Sequence, residues 1–164
     1  MLPAILVLAL LVPTAAGAQA LRPDHRIVDQ PDAPVQVTAY RTELLKRTAE
    51  APAGLRHDLE FRNRGEQPVV AVQFALAAFD VWNEFLERHA ALATDGMNPA
   101  DRKRSSWFTA TDSGIAFLTG VVYVERVRFA NGEIWTANLE TVLAAMRAIQ
   151  KDFTADQLTQ KRTR

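Results

Sequence analysis

The sequence predicts a mainly β protein: an antiparallel immunoglobulin-like sandwich or sheet of six to seven strands, with one C-terminal amphipathic α-helix. Three observations carry that prediction. Residues 55–62 alternate between one face of Leu55, His57, Leu59 and Phe61 and another of charged side chains. Asn131-Gly132 divides a β-branched and aromatic segment as a hairpin turn would. Residues 139–153 then change to a helical period.

The N-terminus reads as an address. Residues 2–12 form an uncharged apolar run, Pro13 interrupts it, and the small-residue sites Ala16-Gly17-Ala18 and Ala18-Gln19-Ala20 follow. That is the pattern of a secretory signal peptide over 1–20, cleaved after Ala18 or Ala20. The run is too short to cross a bilayer, which takes about 20 apolar residues. The expectation is an exported protein, periplasmic or secreted, with no membrane span after cleavage. Residues 21–34 contain three prolines and several aspartates, which argues for an extended leader.

A single β-rich unit with its terminal helix is expected over 35–153. Val35, Val37 and Ala39 alternate with Gln36 and Thr38, predicting a strand over 35–46 with a bulge or bend near Tyr40. Over 55–62, Leu55, His57, Leu59 and Phe61 share one face, and Arg56, Asp58, Glu60 and Arg62 share the other. That is a half-buried antiparallel strand. Asn63-Arg64-Gly65-Glu66-Gln67-Pro68 reads as a turn. Residues 69–79 are apolar on both faces, which suits a central strand covered on both sides. Residues 82–93 fit either period, and a strand after a turn at Asp80–Glu84 is preferred. A polar loop is expected over 94–104 and a short strand over 105–110 around Trp107.

Residues 121–130 and 133–137 then form the hairpin. A two-residue type I′ turn at Asn131-Gly132 would pair Phe129 with Ile134, Arg128 with Trp135 and Val127 with Thr136. It would set Trp135 beside Arg128 and near Arg126. In the helix, Leu139, Val142, Leu143, Met146, Ile149 and Phe153 make one apolar stripe, with Asn138 as N-cap. Residues 154–164 read as a polar tail that ends basic.

The strand order resembles that of FxLYD-type domains, small immunoglobulin-like sandwiches of exported bacterial proteins. Residues 61–69, Phe-Arg-Asn-Arg-Gly-Glu-Gln-Pro-Val, resemble the family's strand, polar turn, Pro and strand entry. Leu76-Ala77-Ala78-Phe79-Asp80 stands where the family has Phe-x-Leu-Tyr-Asp, with only Asp80 matching. Met97-Asn98-Pro99 ahead of Trp107 resembles its Pro-containing loop. The resemblance covers about residues 35–137 and implies a non-catalytic module with no specified ligand.

Composition narrows the function classes. The 164 residues are 48% hydrophobic and carry 19 Lys plus Arg against 19 Asp plus Glu, for a net charge of zero. No nucleic-acid partner is expected from that balance. Cysteine is absent, which removes disulfides, thiolate metal sites and cysteine nucleophiles. His25, His57 and His89 stand at no ligand spacing, so no metal or other cofactor is expected. His57 lies on the apolar face of its strand and reads as a hydrogen-bonded histidine at a sheet end. No G-x-S-x-G, GxGxxG or phosphate-loop pattern occurs.

The expected function is therefore a binding or interaction module whose partner is an envelope protein or glycan. Its interaction surface is expected at Trp135, Arg128 and Arg126 on the hairpin, and at Arg102, Lys103 and Arg104 in the long loop. Two alternatives stand beside it. One is an envelope hydrolase using carboxylates near Asp80 and Glu84. The other is a self-assembling structural subunit that docks through the helix stripe. Burial of Leu143, Met146 and Ile149 separates a lid from a docking surface.

Overall fold

The computed structural model describes residues 22–111 and 116–159. The expected signal peptide over 1–20, the Asp112-Ser113-Gly114 part of the second loop and the basic end of the tail lie outside the described residues. Eight strands and two helices occur among the described residues. They are β1 (Asp24–Ile27), β2 (Val35–Leu45), β3 (Gly54–Asn63), β4 (Val69–Asp80), β5 (Phe85–Ala93), β6 (Arg102–Ala110), β7 (Phe117–Phe129) and β8 (Ile134–Thr136), followed by α1 (Leu139–Arg147) and α2 (Ala155–Thr159).

The protein is mainly β. Five strands form one sheet in the order β1-β7-β4-β5, with β8 also on β7, and three form a second sheet in the order β2-β3-β6. β1 and β8 share one edge of β7, β1 along Thr119–Val122 and β8 along Arg126–Arg128. β1 runs parallel to β7, so the larger sheet is mixed rather than wholly antiparallel as the sequence predicts. The reason lies in the stretch that reads as a leader. Val28 N–H donates to the Val122 carbonyl, and the Gln30 side-chain amide then bonds both the N–H and the carbonyl of Val124 at 2.8 and 2.9 Å. Gln30 thus extends the β1 ladder with a side chain, and a turn closed by Ala33 N–H on the Gln30 carbonyl carries the chain over to β2. The β2 pairing shifts register between Val37 and Ala39, the irregularity expected near Tyr40.

The inner faces of the two sheets make one core. Val72, Phe74 and Leu76 from β4 meet Val37, Leu59 and Phe61 from the smaller sheet, with Trp107 packed on Phe74. The other face of β4 supplies Ala75, Ala77 and Phe79 to a second core under the helices, with Val142, Leu143, Met146, Phe153 and Leu158. From Phe74 to Phe79, β4 is therefore covered on both sides, as the apolar character of both its faces predicts. Each large apolar side chain buried in these layers contributes roughly 1.5–3 kcal/mol.

The stripe expected to decide between lid and docking surface is covered by its own sheet. Leu143 and Met146 are buried and Ile149 is half-buried. α1 stops at Arg147, short of the expected Phe153. Asn138 caps its start, accepting from Glu140 N–H and Thr141 N–H. After Ala148 the chain turns, with Phe153 N–H bonding the Gln150 carbonyl. That turn sets the Phe153 ring 6.0 Å from Phe79 and 5.4 Å from Phe85. A straight continuation would have followed the helix axis past this apolar surface. In the stretch read as a polar tail, α2 buries Leu158.

Two further corrections concern register and extent. The β7–β8 turn has three residues, not two. Gly132 N–H bonds the Phe129 carbonyl, Phe129 N–H bonds the Glu133 carbonyl, and of the turn residues only Gly132 has positive φ, at 91°. That is a type I turn closed by a left-handed glycine. The pairs become Arg128 with Ile134, Val127 with Trp135 and Arg126 with Thr136. β6 also begins at Arg102, inside the segment expected as loop, because the β3 ladder continues there and pairs Arg62 with Arg102.

Candidate functional site

A buried polar cluster lies between the sheets. Tyr40, Thr42 and His57 point inward from β2 and β3. Facing them, the larger sheet aligns His25, Gly120, Ala78 and Glu87 across four strands. Glycine and alanine leave the room that the opposing polar groups fill. The Tyr40 hydroxyl lies 3.0 Å from His57 Nδ1, Thr42 Oγ1 lies 3.1 Å from the same nitrogen, and Thr42 Oγ1 bonds the Tyr40 hydroxyl. Thr42 N–H donates to His25 Nδ1 at 3.2 Å. His57 is 1% exposed, and its Nε2 has no hydrogen-bond partner among the described residues.

Electrostatics keep Tyr40 and His57 uncharged near neutral pH. Burial, aided by the nearby His89, pushes the His57 imidazole down to about 4, against the opposing pull of Glu87 and Asp58. Burial also drives the Tyr40 hydroxyl well above its ordinary range and lowers His25. The three histidines, dispersed in sequence, are thus linked around one inter-sheet space, with His89 Nε2 3.2 Å from a Glu87 oxygen. No group of three or more His, Asp or Glu among the described residues is arranged to hold a metal ion. His57 is hydrogen-bonded through Nδ1, as expected, but inside β3 rather than at a sheet end, and the bond from Thr42 N–H to His25 Nδ1 joins the two sheets.

The sequence-predicted interaction residues separate into three places. Trp135 does not stand beside Arg128. The one-residue change of register turns it to the core side with Val127, where it packs half-buried. Arg126 and Arg128 do share the opposite, outer face of the larger sheet with Leu92 and Ile134, both 57% exposed. α1 and α2 cover the other half of that face, over Ala75, Ala77 and Tyr123. Arg126 Nε bonds Gln73, so its position on the sheet is held.

Arg102, Lys103 and Arg104 do not form one patch. Strand alternation sends Lys103 inward toward Asp95, whose carbonyl it bonds at 3.1 Å. Arg104 is paired with Glu60 on the outer face of the smaller sheet. Arg102 stands beside Arg62 instead, and with Arg64 these two line an open depression of about 550 Å³. The basic strand face is legible in the sequence, but the pairing of Arg62 with Arg102 is not, because it joins two distant segments.

Asp80 and Glu84 meet in a turn. Asp80 Oδ1 accepts from Trp82 N–H and Glu84 N–H at 2.8 and 2.9 Å, and Asn83 adopts a positive φ of 64° in the turn they close. Trp82 is held at the tip of that turn, 80% exposed.

No family model matches the chain, and no curated protein matches it. Among solved structures, it is similar to a 1.85 Å X-ray structure of a hypothetical protein from Peptoclostridium difficile 630, at 8% identity and a TM-score of 0.55. That match covers 76% of this chain and all of the other, and it shows a shared fold. A second match is the X-ray structure of Northeast Structural Genomics Consortium target SoR45. It has 16% identity and a TM-score of 0.43, and covers 65% of this chain and 81% of the other.

Proposed function

We propose that this chain is a non-catalytic binding module of immunoglobulin-like type, working outside the cytoplasm as a periplasmic or secreted protein. The observation that carries the reading is the uncovered half of the larger sheet, where Arg126 and Arg128 on β7 stand between the exposed side chains of Ile134 on β8 and Leu92 on β5. Exposed apolar groups interleaved with guanidinium groups suit a protein or glycan partner of the cell envelope. Strand order supports the immunoglobulin-like assignment. β8-β7-β4-β5 faces β2-β3-β6, the arrangement of the G-F-C-C′ and A-B-E strands in that fold. The FxLYD resemblance points the same way. Asp80 supports a non-catalytic reading, since one of its oxygens is committed to two turn amides. The covered stripe of α1 leaves little for assembly through that helix.

The test is retention of defined envelope fractions, outer-surface glycan and solubilised envelope protein, on the immobilised chain. Arg128→Glu with Ile134→Asp should abolish retention, while a substitution in the helix layer's solvent face, Lys151→Glu, should leave it intact. Equal retention by all three proteins would sink the proposed surface.

A further inference from the structure

We propose that the depression beside Arg62 and Arg102 is a binding site for a phosphate monoester group, separate from the Arg126–Arg128 face of the larger sheet. On the outer face of β3 and β6, Arg104 pairs with Glu60, and Arg56 pairs with Glu43 at 2.6 Å. At the end of the same ladder the register places Arg62 directly opposite Arg102. Two like charges in facing positions destabilise a sheet unless something neutralises them. Among the described residues no carboxylate pairs with either. Arg62 gives only its Nε to the neutral Gln36 oxygen, at 2.9 Å, which leaves its terminal amino groups available. Arg102 is exposed and makes no side-chain hydrogen bond or ion pair among the described residues.

A third guanidinium adds to this field. Arg64 lines the same depression and is held by the carbonyls of Ala33 and Gln30, at 2.6 and 2.7 Å. Carbonyls fix its position without cancelling its charge. Glu66 is the one carboxylate in the lining, so three cations face one anion.

The walls are built before any ligand arrives. Asn63 is fully buried beneath the depression. Its side chain donates to the Gln67 carbonyl and accepts from Gly65 N–H, while its backbone bonds Asp101 and Ala100. Ala100 is held there at a φ of 67°, a conformation disfavoured for a residue with a Cβ. These bonds set the start of β6 against the end of β3, which fixes where the two guanidinium groups emerge. Guanidinium forks match the oxygens of a tetrahedral oxyanion in paired hydrogen bonds. Two guanidinium groups lining one depression favour a doubly charged group, and the open volume leaves room for the molecule that carries it.

Inorganic phosphate is the first probe. It is titrated into the full chain at constant ionic strength, with sodium chloride as the control, and backbone amide shifts of residues 62–66 and 100–102 are followed by NMR. The expected result is saturable movement of these amides with phosphate and none with chloride. Arg102→Gln and Arg62→Gln should each weaken the response at least tenfold, and Arg104→Gln should leave it unchanged. Without phosphate, Arg102→Gln should unfold at the same or a higher urea concentration than the parent, since it relieves a like-charge pair. Glucose 6-phosphate, compared with vesicles carrying phosphatidic acid, separates a soluble ester from a lipid headgroup as the source. A phosphate response equal to that of chloride, or one that survives Arg102→Gln, overturns the assignment. So does marked destabilisation by Arg102→Gln, which would make the pair structural.

Discussion

Gly120 vacates the space that the Tyr40 hydroxyl occupies. A Cβ at position 120 would lie 2.9 Å from that oxygen and 2.7 Å from Thr42 Oγ1. Both hydroxyls are buried and bonded to each other and to His57, so neither can move aside without breaking this β2–β3 network. Gly120→Ala is therefore expected to destabilise the protein by about 1–3 kcal/mol, the usual cost of overpacking a close-packed interior. Urea unfolding checks it, and an unchanged midpoint would show that the two side chains relax freely.

The same cluster predicts how stability depends on pH. His57 titrates at about 4 in the folded protein, against an ordinary value of 6.5. The folded form therefore binds fewer protons than the unfolded form between those values. Its contribution is fully present above about pH 6.5 and is lost as the pH falls toward 4, by roughly 3 kcal/mol in all. Comparing urea midpoints of the parent and His57→Gln from pH 7 to pH 4 isolates the effect. Parallel curves for the two proteins would refute it.

Met146 is fully buried between α1 and the outer face of the larger sheet. Met146→Ala should cost about 2–5 kcal/mol, the range for deleting a long apolar side chain from a packed core. The helix is thereby expected to be part of the folding unit. Circular dichroism should show helix and sheet melting together, and a helix signal lost well before the sheet signal would contradict this.

Gly132 carries the left-handed turn at a φ of 91°, and a Cβ there would meet no atom within 4 Å. The cost of Gly132→Ala is thus a backbone cost alone, about 1–2 kcal/mol. Differential unfolding of the two proteins measures it. Adding a contact nearby cannot restore the loss, so no compensating substitution is expected within the turn.

The three tryptophans differ in access to solvent. Trp82 is 80% exposed, while Trp107 and Trp135 pack half-buried against the inter-sheet core. Iodide should quench a fraction of the emission that Trp82→Phe removes. Quenching retained in full by that variant would return Trp135 to an exposed position.

Much of this architecture is legible in local pattern. The alternation over 55–62 identifies both faces of β3 and by itself places His57 on the inner one. The largely apolar run over 69–79 anticipates a strand covered on both sides, which holds from Phe74 to Phe79. Asn138 and the stripe from Val142 to Met146 anticipate α1. The differences share a physical origin. Local pattern puts Trp135 on the wrong face because Asn-Gly serves both two-residue and three-residue turns, and one residue of register inverts every side chain that follows. Arg102–Arg104 read as loop because their polarity carries no strand signal, whereas pairing with β3 extends the ladder through them. Lys103 consequently points away from its two neighbours. The candidate sites are less legible still. Arg126 and Arg128 can be placed together because they lie two apart on one strand. Arg62 and Arg102 meet only when two distant segments pair.

The periodicities of this chain determine which segments are strand or helix and which side chains face a core, because burial of apolar surface acts on each segment's own pattern. They say nothing of which strands become neighbours. The parallel β1, the Gln30 side chain completing its ladder, the meeting of three histidines around one inter-sheet space and the facing arginines all arise from long-range pairing. Such contacts depend on register and on small residues such as Gly120 and Ala78 at the opposing positions. They are settled jointly by two sheets packing into one volume, and no local stretch of sequence contains that information.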